Sequence, residues 1–193
     1  MRAILQAFGM ALAVALAWPA GAHGQSNIDE GLRTGSPVEG LDASHTRRSF
    51  TDLKGKQGLI VAFGKSADWC PICQRRLVEL NQAAPQLRAQ GYGLAGVTYD
   101  DPDKLASFTQ RRAISYPLLA DSSGAISGAY GAAEPGDSKL HAHDTGDRPA
   151  LLIIGPDGVI RGSLKEKDLA KQGVMEALMA MVEAMEASPV KAQ

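Results

Sequence analysis

The chain has 193 residues, 20 lysines and arginines against 21 aspartates and glutamates, 45% apolar residues and 5% aromatic ones, a composition that bounds it to one ordinary globular domain. A net charge of −1 with no basic run excludes the phosphate-neutralising surface of a nucleic-acid binder, and so few aromatics exclude a base-stacking platform. Two cysteines cannot staple a disulfide scaffold, and a chain of this length does not need one.

Arg2, the apolar stretch Ala3 to Trp18, Pro19 and then Ala20-Gly21-Ala22 have the order of a charged region, an apolar region and a small-residue cleavage site. Residues 1–22, or 1–24 with the alternative end, are therefore expected to be a cleavable signal peptide. Sixteen residues rich in alanine are short beside the roughly 20 that a spanning helix needs. No other apolar run approaches that length, so the mature chain is expected to be exported, periplasmic in a Gram-negative cell, without stable membrane insertion.

Residues 23–55 form a polar lead-in with at most a short strand, its glycines and Pro37 acting as breakers. The body of the domain is expected over residues 56–187, with a tail at 188–193. Leu59 to Phe63 is a continuous apolar run, as expected for a strand buried on both faces. A helical stripe follows at Cys73, Leu77, Leu80, Ala84 and Leu87, with Pro85 predicted to kink or end the helix. A strand over Gly93 to Tyr99, a helix from about Pro102 to Ala113, a strand over Tyr116 to Ala120 and a short helix at Ile126 to Tyr130 come next. Residues 132–147 read as a polar loop. Ala150 to Ile154 and Val159 to Leu164, joined through Gly155-Pro156-Asp157-Gly158, form the clearest hairpin. One last helix over about Glu166 to Ala187 presents Val174, Leu178, Met181, Val182 and Met185 to the sheet, its methionines filling core. The rhythm of elements predicts an α/β fold with a central mixed sheet flanked by helices.

Both cysteines lie in Trp69-Cys70-Pro71-Ile72-Cys73, between a buried strand and a helix. This puts Cys70 at the helix N-terminus and Cys73 about one turn inside, on the same face. The positive end of the helix favours a thiolate on Cys70 and lowers its pKa from the free value of about 8.5. Cys73, turned toward the core, suits resolving a mixed disulfide better than starting one. Pro71 fits an early helix position, where its missing N–H costs nothing. A structural disulfide would add little in so short a loop, and a zinc site would need two more ligands. His141 and His143 could supply them on paper, but spacing does not bring them to the cysteines. No metal or cofactor is assigned.

The Trp-Cys-Pro-x-Cys motif after an apolar strand, Pro149 opening the strand Ala150 to Ile154, and the Pro-Asp-Gly hairpin resemble the thioredoxin superfamily. More narrowly, they resemble its redoxins grouped with alkyl hydroperoxide reductase and thiol-specific antioxidant proteins. The similarity runs from about Pro37 to Ala187. It implies a thioredoxin-like fold, a cis Pro149 packed against the dithiol, and a substrate surface formed by Trp69, Pro71, Arg148 and Pro149.

Within that resemblance three activities compete. A thiol-disulfide oxidoreductase needs only Cys70, Cys73 and Pro149, and is the first reading: Cys70 attacks a disulfide and Cys73 releases the mixed disulfide. A peroxiredoxin, with Cys70 as peroxidatic cysteine, would need Pro-x-x-x-Thr/Ser-x-x-Cys. Here Phe63 and Ala67 stand at the proline and hydroxyl positions, leaving Ser66 from a shifted loop and the long guanidinium of Arg148 as substitutes. A copper-binding assembly chaperone would use both cysteines with His141 or His143, although such proteins separate their cysteines by three residues and this chain by two. Ala62 occupies the place of the buried acid of thioredoxins, so proton handling falls to water or to an acid that the sequence does not identify, with Asp68 a candidate by proximity alone. Arg75 and Arg76 read as solvated helix residues. The expected partners are a protein or small-molecule disulfide, or a peroxide, together with an electron donor that the sequence does not name.

Overall fold

The computed structural model describes residues 38–132 and 148–187. The predicted signal segment, most of the 132–147 loop with His141 and His143, and the tail lie outside the described residues. Chain order is β1 (Glu39–Asp42), β2 (Arg47–Ser49), α1 (Phe50–Leu53), β3 (Gly58–Gly64), α2 (Pro71–Ala89), β4 (Tyr92–Thr98), α3 (Pro102–Arg112), β5 (Leu118–Ala120), α4 (Ala125–Ala129), β6 (Pro149–Ile154), β7 (Ile160–Lys165), α5 (Glu166–Gln172) and α6 (Val174–Ala187). The seven strands form one mixed sheet in the order β2-β1-β5-β4-β3-β6-β7. Strands β3, β4 and β5 run parallel, and β6 pairs antiparallel with β3. This is a thioredoxin-like α/β arrangement, as expected.

The run Leu59 to Phe63 is apolar throughout because β3 is central and both of its faces are covered. Ile60 and Ala62 join one core with Leu77, Leu80 and Leu87 of α2, Phe108 of α3 and Leu178 and Val182 of α6. Leu59, Val61 and Phe63 point the other way, to a core with Leu53 of α1, Ile126 of α4 and Leu152 of β6. The alternation of a strand is thus present but hidden, since neither face is polar.

Three expectations need correction. The lead-in carries two strands and a short helix: β1 pairs antiparallel with both β2 and β5, and Ser49 caps α1 through a reciprocal pair with Asp52. Of the two outcomes expected at Pro85, a kink or an end, the end is corrected: helix α2 continues to Ala89. Pro85 faces solvent, while its neighbours Ala83, Ala84 and Leu87 are buried, so packing outweighs one lost backbone bond. The last helix is two helices, broken at Gly173, whose φ of 80° belongs to the left-handed region that glycine enters freely. The hairpin is as read, with Gly158 N–H donating to Gly155 O at 2.9 Å and Gly155 N–H to Val159 O at 2.7 Å. No helix among the described residues is long and apolar enough to cross a membrane.

Candidate active site

Strand β3 ends at Gly64 and helix α2 begins at Pro71; the loop between them carries Trp69 and Cys70. Cys70 is the N-cap of α2, and its Sγ accepts the Cys73 N–H at 3.2 Å. That bond uses one of the N–H groups that the first turn of a helix leaves unpaired, and it points the positive end of the helix at the sulfur. Pro71 opens α2, where no N–H is required. Cys70 and Cys73 are joined by a disulfide, their Cα atoms 5.3 Å apart. Cys70 is half-buried and Cys73 is 5% exposed, the asymmetry expected of an attacking and a resolving sulfur. Cys73 Sγ also accepts the Lys65 N–H at 3.2 Å. The helix approaches this closely because Gly64 has no side chain: a Cβ there would lie 3.1 Å from Cys73 Cβ, 3.5 Å from its Sγ and 3.7 Å from Thr98 Cγ2.

Trp69, at 54%, and Ile72, at 51%, flank Cys70, and the third large apolar side chain exposed among the described residues, Leu41, lies on β1. Two apolar, solvent-facing side chains therefore stand beside Cys70 in the chain. In the antiparallel register of β6 on β3, Ala62 lies opposite Leu151; carried two residues on, it sets Pro149 opposite Gly64, at the same sheet end as the dithiol. Pro149 and Arg148 are half-buried there. The cis bond implied for Pro149 is corrected: every peptide bond among the described residues is trans.

Two other residues behave differently from their sequence reading. Ser66, held in reserve as a peroxide-binding hydroxyl, is 1% exposed and fully engaged. Its hydroxyl donates to Asp100 Oδ1 at 2.7 Å, and its oxygen accepts the N–H groups of Asp68 at 2.9 Å and Trp69 at 3.2 Å. Arg76 is not solvated but 6% exposed. It donates to Phe63 O at 2.5 Å and pairs with Glu166 at the start of α5. Burial pushes its pKa down, and the Glu166 carboxylate opposes that push. Arg75, by contrast, is exposed and lies 3.8 Å from Glu79. The side chain of Asp68 is exposed.

The residue that sequence reasoning missed is Asp100, 4% exposed just past the end of β4. Its Oδ2 accepts the Ala67 N–H at 2.5 Å and the Thr98 hydroxyl at 2.9 Å. Ala62, at the usual place of a buried acid, is sealed in the core. Among the described residues no group of three histidines, cysteines, aspartates or glutamates could hold a metal ion.

Residues 36–163 match the AhpC/TSA family. The chain belongs to that family. Among curated relatives of this AhpC/TSA protein, the 1-Cys peroxiredoxin of Onchocerca volvulus is 24% identical over 131 residues, 60% of this chain and 56% of that protein. The thiol-disulfide oxidoreductase ResA of Geobacillus kaustophilus is 23% identical over 134 residues, 63% of this chain and 70% of that one. The chain thus spans little more than half the length of the first. Peroxidoxin BcpB from Mycobacterium tuberculosis superposes with a TM-score of 0.64 at 18% identity, covering 80% of this chain and 95% of that one, a likeness of fold. The AhpC/TSA match and the Cys70–Cys73 disulfide thus place a redox-capable cysteine pair in a redoxin fold.

Proposed function

We propose that the protein is a thiol peroxidase in which Cys70 reduces a hydroperoxide and Cys73 resolves the product. The observation that carries this reading is the half-exposed Cys70 at the N-cap of α2, bonded to a buried Cys73. The Cys70 thiolate attacks one peroxide oxygen and the O–O bond breaks. The departing alkoxide takes a proton from solvent to leave as alcohol, or as water from hydrogen peroxide, and Cys70 becomes a sulfenic acid. The Cys73 thiol then attacks that sulfur, forming the S–S bond and expelling hydroxide, which leaves as water with the Cys73 proton. A dithiol from outside returns two electrons and two protons.

Motif departures alone favour disulfide exchange; the family and the relatives named peroxiredoxins support the peroxidase instead. Exchange with a substrate disulfide remains a second reading on one specific observation: Ser66 has no hydroxyl left for a peroxide and Ala67 has none at all. Stopped-flow Trp69 fluorescence of the reduced protein mixed with hydrogen peroxide or cumene hydroperoxide tests the two. The expected result is oxidation far faster than that of free cysteine, lost in Cys70→Ser and stopping at sulfenic acid in Cys73→Ser. Rates no faster than free cysteine, with rapid reduction of a protein disulfide, would overturn the peroxidase reading. Residues 1–22 support export, and N-terminal sequencing of the protein recovered from the periplasm tests that, cleavage after Ala22 or Gly24 being expected.

A further inference from the structure

We infer that Asp100 is the positioning residue of the dithiol, acting through Ser66 to hold Cys70 at the helix end. The inference rests on the dithiol chemistry proposed above and not on which oxidant Cys70 meets. Every residue from Ser66 to Trp69 is tied to this one carboxylate, directly or through one atom. Oδ1 accepts the Ser66 hydroxyl, and Oδ2 accepts the Ala67 N–H and the Thr98 hydroxyl. Ser66 Oγ, oriented by donating inward, accepts the Asp68 and Trp69 N–H groups. The next residue is Cys70, whose sulfur must meet the Cys73 N–H.

The position demands an acceptor on both oxygens. An ionised carboxylate offers acceptors only, whereas an asparagine amide turns one side into a donor. Facing Ala67, that NH₂ would oppose an N–H; facing Ser66, it would compete for lone pairs that two amides already occupy. The parallel register explains why this acid reaches the loop: Gly64 lies beside Thr98, and Tyr99 N–H continues the ladder to Lys65 O at 3.2 Å. The residues just past β4 therefore stand next to the residues just past β3. A Cβ on Gly64 would lie 3.5 Å from Cys73 Sγ and 3.7 Å from Thr98 Cγ2, so Thr98 of the network and the resolving sulfur both border this glycine.

The test is the pH dependence of Cys70 alkylation by iodoacetamide in the reduced, folded full chain, followed by mass spectrometry of the modified peptide. In Ser66→Ala, Cys70 loses its fixed place at the helix N-terminus, and the midpoint of its alkylation curve rises by about half to one pH unit, with a rate near pH 7 slower by roughly threefold to tenfold. Ser66→Thr keeps the hydroxyl and restores the wild-type midpoint. Asp100→Asn shifts the curve at least as far as Ser66→Ala; if that variant does not fold, the serine pair decides. An unchanged midpoint in folded Ser66→Ala, or a Ser66→Thr curve as displaced as that of Ser66→Ala, would overturn the inference. Because alkylation needs no peroxide, a wild-type protein with a normal alkylation curve but no peroxide turnover would defeat the peroxidase reading and leave this one standing.

Discussion

The Arg76–Glu166 pair offers the sharpest energetic test, because its two halves differ so much in burial. The Arg76 side chain is 7% exposed and that of Glu166 40%. Removing one partner of a buried pair costs about 3–5 kcal/mol when the other charge is left fully stranded. In Glu166→Ala water reaches the vacated, partly open position and Arg76 keeps its bond to Phe63 O, so a loss of about 1.5–3 kcal/mol is expected. Arg76→Met removes the costly guanidinium but leaves the Phe63 carbonyl without that donor, at about 1–3 kcal/mol. The decisive quantity is the double variant. With Arg76 already gone, Glu166 is a half-exposed carboxylate with little to lose, so Arg76→Met with Glu166→Ala should cost about the same as Arg76→Met alone, within roughly 0.5 kcal/mol. Urea unfolding monitored by far-ultraviolet circular dichroism gives each value, with an unchanged m showing that only stability moved. A Glu166→Ala loss below about 0.5 kcal/mol, or a double-variant cost equal to the sum of the singles, would refute the picture of a buried cation dependent on one carboxylate.

Two further outcomes follow from the same reasoning. Burial pushes the Asp42 pKa up, but the hydrogen bond from Arg48, at 2.7 Å, and those from the Thr46 and Ser44 amides, at 3.0 and 2.8 Å, outweigh it and hold the carboxyl below its ordinary range. A carboxylate depressed in this way stabilises the folded protein above its unfolded pKa of about 3.9 and loses that contribution as pH falls through its folded value. Asp42→Asn should therefore cost about 1–2 kcal/mol at pH 7, with the gap to wild type closing below about pH 4 in urea titrations at several pH values; a gap constant down to pH 2 would contradict it. Gly64→Ala forces a Cβ to 3.1 Å from that of Cys73. A loss of about 1–3 kcal/mol and slower formation of the Cys70–Cys73 disulfide are expected, and wild-type stability together with wild-type oxidation kinetics would count against the close approach.

The parts of the fold that the sequence made legible are those whose signal is local. Leu59 to Phe63 is apolar at every position, and Gly155-Pro156-Asp157-Gly158 has few conformations open to it besides a turn. The cysteine motif sits where a strand must give way to a helix. Strands β1 and β2 carry no such signal: Glu39-Gly40-Leu41-Asp42 has a single large apolar residue and becomes a strand by pairing with β2 on one side and, on the other, with β5, some 80 residues later in the chain. Gly173 did carry a signal, a lone glycine in an otherwise helical stretch, but the apolar face on its far side masked the break.

The site divides along the same line. Cys70, Cys73 and Pro71 were legible because their chemistry depends on neighbours in sequence. Asp100 and Asp101 are adjacent and chemically identical, yet Asp101 caps α3 by accepting the Lys104 N–H at 3.0 Å, while Asp100 turns inward to a loop 33 residues away. Only the parallel register of β3 and β4 tells the two apart. The same holds for Arg75 and Arg76, adjacent on α2, of which the second is drawn inside by Glu166, 90 residues on. In both pairs the buried residue is the one tied to the β3–α2 junction, Asp100 through Ser66 and Ala67 and Arg76 through Phe63 O, because a charge inside the fold persists only with a fixed partner. What sequence pattern alone could not supply is thus the set of buried charges bonded to the β3–α2 junction that bears Cys70.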